Sequence, residues 1–139
     1  MPLPRHPHSI LLRAQPMRLE QETARLHAAA ALAADGERVM LAWGGLAPAS
    51  PVPGGVTLWL LPPAWERADA AGLILDAEGR PVDHAWKKRR AAALLALFAG
   101  MAPRLVILDR AAPGFRFELE PLTEIARRRE PAPDIREFI

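Results

Sequence analysis

The sequence predicts an α/β fold, a three-layer, Rossmann-like domain with a mostly parallel sheet of about four strands. Three observations support this. Short apolar runs alternate along the chain with longer segments of helical periodicity. Two of the runs, Val39–Trp43 and Leu105–Leu108, are apolar at every position, as expected of strands buried on both faces. Turn residues mark the boundaries, with Gly36 closing the first helical segment and Gly44-Gly45 following the second strand.

The elements follow in order. Ser9–Leu12 reads as a first strand, which Arg13 and Gln15 close early. Arg18–Asp35 is the clearest helix. Leu19, Ala24, Leu26, Ala30, Ala31 and Ala34 recur at helical spacing, and alanine is the best helix former. Val39–Trp43 is a buried strand. Leu46–Gly55 is a Pro/Gly/Ser loop, and Val56–Leu61 is a third strand ended by Pro62-Pro63. Ala64–Asp76 reads as a loop with one helical turn. Asp83 is placed to cap a helix running to Gly100, with Ala92, Leu95 and Phe98 on its apolar side. Leu105–Leu108 is the fourth strand. Phe115–Arg129 is a last helix, with Glu118 and Glu120 at its positive end and Arg127–Arg129 at its negative end.

With 139 residues, one domain is expected, at 10–129. It is preceded by a flexible leader, 1–9, and followed by a Pro-containing tail, 130–139. Eighteen basic and sixteen acidic residues leave a net charge of +2, too small to argue for a nucleic-acid partner. The absence of cysteine excludes disulfides, thiolate metal sites and Cys nucleophiles. It fits a reducing, cytoplasmic setting, as does a leader without a signal-peptide apolar region. No apolar run approaches the length of a membrane-spanning helix.

Candidate chemistry is sparse. His6 and His8 sit in the leader, His27 lies mid-helix and His84 stands at a helix start, and no spacing suits a metal. No cofactor is expected. Gly44 and Gly45 fit either a phosphate-approaching turn or a plain strand exit. Asp109, Arg110 and Arg116 fall at or after the carboxyl end of a buried strand, the edge where open α/β sheets bind ligands. A solvated loop would use the same residues. Lys87–Arg90 offers membrane-surface contact or a solvated helix face. Trp43 and Trp59 are expected in the core, and Trp65 near the surface.

Read in this order, the chain resembles the N-terminal half of a family of predicted bacterial glycosyltransferases of the two-Rossmann-domain (GT-B) class. The matching pieces are His27–Gly45, Leu60–Pro63, the Asp-x-x-Gly-Arg-Pro-Val-Asp stretch within Gly72–Asp83, and Phe115–Leu122. The resemblance implies an acceptor-side domain, with substrate contacts at Gly44, Gly45, Asp109, Arg110 and Arg116. It also implies a Gly-rich, His-containing loop at the start of the first helix. That loop falls on Arg18–Ala24, where both glycines are gone, Glu20 repels anions and Gln21 replaces the histidine. Sugar-nucleotide binding in this class belongs mainly to a second domain, and the family's next strand after Arg129 is replaced by Glu130–Ile139. The expectation is therefore a degenerate domain, inactive alone, that acts as an interaction or scaffold subunit. The alternative is the acceptor-binding half of a split enzyme completed by a second chain. Both imply a protein partner, with the sheet edge left open by the missing strand as one place for it.

Overall fold

The computed structural model describes residues 9–70 and 72–138. The leader histidines His6 and His8 lie outside them. In chain order the elements are β1 (Ile10–Ala14), α1 (Leu19–Ala34), β2 (Val39–Trp43), β3 (Val56–Leu60), β4 (Ala64–Glu66), β5 (Ile74–Asp76), α2 (His84–Ala99), β6 (Leu105–Leu108), a 3-10 turn (Pro113–Phe115), α3 (Arg116–Arg128) and β7 (Asp134–Glu137). Five strands form one parallel sheet in the order β3-β2-β1-β6-β7, and β4 and β5 pair antiparallel beside it. The expected α/β class and parallel sheet are thus observed, with one more strand than counted.

The period of the strands builds two cores. Leu11, Met40 and Val106 point to one face, where Leu94, Phe98, Leu119 and Leu122 of α2 and α3 cover them. Ile10, Leu12, Leu41 and Trp43 point to the other, under Leu26 and Ala29 of α1. The chain crosses from one face to the other between β1 and β6, which makes that boundary the topological switch point. The β2–β3 connection carries no helix, so β3 is an edge strand with both faces half open.

The Asp-x-x-Gly-Arg-Pro-Val-Asp stretch has a complete structural account. Asp76 Oδ1 accepts from the amides of Glu78 and Arg80, and Gly79 takes the left-handed conformation (φ 78°) that the tight turn requires. Pro81 bridges back to Leu75, and Asp83 Oδ1 accepts from Trp86 N at 2.8 Å to cap α2.

Several expectations are corrected. β1 does not stop at Leu12 but runs to Ala14 with Arg13 fully buried, because Arg13 finds a charge partner, Glu118, on α3. Ala64–Asp76 is a β-hairpin rather than a helical turn. The 130–139 tail carries β7, whose ladder with β6 closes the edge expected to be open. On α1 the buried positions are Arg25, Leu26 and Ala29, and Leu19 is 65% exposed. On α2, Ala92 is exposed and Arg90 buried. Trp43 is core, whereas Trp59 stands 47% exposed on the edge strand.

Replacing Asp83 with Ala leaves the Trp86 amide in the first turn of α2 without its acceptor. The expected loss is about 1 kcal/mol of stability in urea unfolding, with the fold unchanged.

Candidate functional site

Directly under the carboxyl edge of the sheet lies a buried ionic network. Arg13 on β1, Arg90 on α2 and Glu118 in the first turn of α3 are all fully inaccessible. Arg13 Nη2 reaches Glu118 Oε1 at 2.8 Å, and Arg90 Nη2 reaches the same oxygen at 3.0 Å. Arg90 Nε donates to the second Glu118 oxygen at 3.2 Å, and the two Nη1 atoms find carbonyls: Arg13 Nη1 donates to Asp109 O, and Arg90 Nη1 to Pro62 O and Gly44 O. Phe115 lies close to both guanidinium carbons, at 5.2 and 5.1 Å from its ring centre, giving the second cation a π-face. Burial pushes the Arg90 pKa down to about 10, against the opposing pull of Glu118, so the group remains charged at neutral pH. Among the described residues, Arg13 Nε is the buried side-chain nitrogen without a hydrogen-bond partner.

A second pair is joined to the first through the backbone. Arg25 on α1 grips Asp109 with two bonds of 2.9 Å, and Gln15 N and Ala111 N complete the carboxylate's shell. Burial alone would raise the Asp109 pKa. The Arg25 bonds and the two amides outweigh it and hold the carboxyl below its ordinary range. Gln15 links the two pairs, accepting from Arg90 through its side-chain oxygen and donating to Ala64 O.

Above this floor two clefts open at the carboxyl edge, separated by a ridge of Met17, Arg18 and Trp65. The first, about 440 Å³, is bounded by Leu19, Trp43, Gly45 and Leu46. Its roof is pinned by Trp43 Nε1 to Leu46 O and by Ala49 N to Glu22. The second, about 580 Å³, lies at the switch point between Gln21, Glu66 and Ala112. Glu66 is occupied there, accepting from Gly72 N and Gly114 N. The Gln21 carbonyl accepts from Met17 N at 2.7 Å.

The sequence-predicted residues divide among these environments. Gly44 sits beneath the clefts, where an added Cβ would overlap Gln15 and Arg90. Asp109 is buried in the Arg25 pair, and Gly45 lines the first cleft. Arg110 pairs with Glu137 and Arg116 with Glu120, and both face a separate hollow beside α3. Of the loop positions, Arg18 and Gln21 line the clefts, and Glu20 pairs with Arg18 at 3.2 Å in solvent. Lys87–Arg90 does not form one exposed patch: Lys87 lies over the Phe117 ring and Arg90 is buried. Met17 in the cleft wall and the buried pairing of Arg13 and Arg90 with Glu118 are not legible in the sequence. The one available signal was Arg13, on the same strand face as Leu11. Among the described residues no His, Asp and Glu group is placed to hold a metal, and no helix is long and apolar enough to cross a membrane. A scan against protein-family models finds no match, and neither does a search of curated proteins.

Glu118→Gln strands two buried guanidiniums without an anion and is expected to cost about 3–5 kcal/mol in urea unfolding. Glu120→Gln, at the exposed Arg116 pair, is expected to change stability by under about 1 kcal/mol. Asp109 has a depressed pKa when folded. Its contribution is therefore present above its unfolded value of about 3.9 and lost as pH falls through the folded one. Asp109→Asn is expected to lower stability at neutral pH and to flatten the acid limb of the stability–pH profile.

Proposed function

We propose that this chain is a glycosyltransferase-like, acceptor-side domain that performs no chemistry alone and serves as an interaction or scaffold subunit of an assembly. One observation carries the reading: Glu118 and Asp109 beneath the clefts, and Glu66 in the wall of the second, have both carboxylate oxygens in use. Glu118 is shared by Arg13 and Arg90, Asp109 is held by Arg25 and two amides, and Glu66 and Glu22 accept from backbone amides. A general base needs a free lone pair within reach of its substrate. The walls offer instead apolar surface, the Arg18 guanidinium and the Gln21 amide, which suit holding a ligand or partner more than turning one over. The acceptor-side assignment rests on the sequence resemblance, and the position of the clefts at the carboxyl edge of a parallel sheet is consistent with it.

The test has two parts. Incubated alone with nucleotide sugars, the purified chain is expected to release no nucleoside diphosphate. Isolated from its source under mild conditions, it is expected to elute with a stoichiometric protein partner. A partner that carries a nucleotide-sugar domain and restores transfer would make this the acceptor half of a split enzyme. Turnover by the isolated chain would refute both readings.

A further inference from the structure

The β4–β5 hairpin stands outside the main sheet and supplies a wall to both clefts. Trp65 forms part of the ridge between them, and Glu66 lines the second. The hairpin is held at its ends. Ala64 N donates to Gly44 O, Ala64 O accepts from Gln15, and Leu75 bridges to Pro81. Its outer part is fastened differently. Arg67 N bonds Leu73 O, and the Arg67 guanidinium pairs with Asp69, so both of these contacts stay within the hairpin. Among the described residues from Trp65 to Leu73, one hydrogen bond reaches the rest of the chain. In it Gly114 N, in the 3-10 turn before α3, donates to Glu66 Oε1. Glu66 Oε2 accepts from Gly72 N at 3.1 Å. Gly114 is matched to this contact: a Cβ there would overlap the carboxylate and press on the Gly72 backbone.

We propose that Glu66 is the latch of a hinged wall: released from Gly114, the hairpin turns about its ends, lifts Trp65 out of the ridge and opens the two clefts to each other. The ladder is three residues long and two strands wide, too small to hold itself in place. Of its strand residues, Ala64 and Ile74 are the buried ones. Elements with so few buried contacts open separately from the core and at lower free energy. Against that tendency stands one carboxylate, which ties the hairpin to the 3-10 turn through charge-assisted bonds, stronger than neutral ones. Opening uncovers Ala112, which lines the second cleft and is 4% accessible in the closed form. An extended chain segment could cross the ridge only in the open form. The latch stands apart from the binding role above: a hairpin that never opens by itself overturns this inference and leaves that one intact.

The chain has no cysteine, so one introduced thiol reports on one place. Ala112→Cys puts it beneath the hairpin, and Val106→Cys puts it on an interior strand of the sheet, at a site 1% accessible. The test is the rate at which a small thiol reagent labels each in native buffer. The Ala112→Cys thiol is expected to react faster, at a rate indifferent to dilute urea. The Val106→Cys thiol is expected to react through global unfolding, at a rate that climbs with urea. Ala29→Gly weakens α1 on the far face of the sheet. It is expected to speed the Val106→Cys reaction and leave the Ala112→Cys reaction as it was. Glu66→Gln offers one neutral oxygen to two N–H groups, and is expected to speed the Ala112→Cys reaction about tenfold. Gly114→Ala, which displaces the carboxylate without removing it, is expected to act in the same direction. An Ala112→Cys thiol that follows urea and Ala29→Gly as the Val106→Cys thiol does would show no separate opening and overturn the proposal. So would a rate that neither Glu66→Gln nor Gly114→Ala changes.

Discussion

Glu118 is the residue on which the rest of the arrangement depends. It is one carboxylate, fully buried, serving two guanidiniums from two other elements. Removing charges from water is expensive, and the interior keeps them only because almost every donor finds an acceptor of fixed geometry. The acceptors are backbone carbonyls at the ends of strands: Asp109 O after β6, Gly44 O after β2 and Pro62 O after β3. The network therefore reads out the position of several strand ends at once. Hydrophobic packing of Leu11, Leu94 and Leu119 would tolerate small slips between sheet and helices, whereas these directional bonds define one register.

The same arrangement sets the character of the cleft above it. Gly44 can have no side chain, because Gln15 and Arg90 fill the space. Asp109, placed at the edge where ligands enter such sheets, has both oxygens in use. The polar inventory beneath the cleft is turned inward, and the groups that face outward are Met17, Trp65, Arg18 and Gln21.

The sequence was most legible where burial was two-sided. Val39–Trp43 and Leu105–Leu108 are apolar at every position, and their limits were read correctly to the residue. Asp83 and Gly100 marked α2 because capping leaves a local signature. Legibility failed where the decisive partner was distant. Arg13 and Glu118 are 105 positions apart, and taken separately each reads as a charge that belongs in solvent. β4 and β5 have three residues each, too few to display a period of two. β7 alternates one half-buried residue, Ile135, with charges and follows two prolines, so it resembled a tail. Trp59 departs from expectation because an aromatic in an apolar run implies a covered strand, whereas β3 lies at the sheet edge. At the site, Arg18 and Gln21 were singled out on the loop, but the commitment of Asp109 was not visible without Arg25 beside it.

The separation between Arg13 and Glu118 also has a temporal side. A chain made from its N-terminus produces β1 and Arg13 first, then Arg90, and the carboxylate common to both only as α3 emerges. Until then β1 carries a cation into the centre of its sheet with no anion to meet it, and burying it is costly. The helix-side layer thus has reason to stay unlocked until α3 is present. The strand at the middle of the sheet waits for a residue 105 positions further along before its layer can lock.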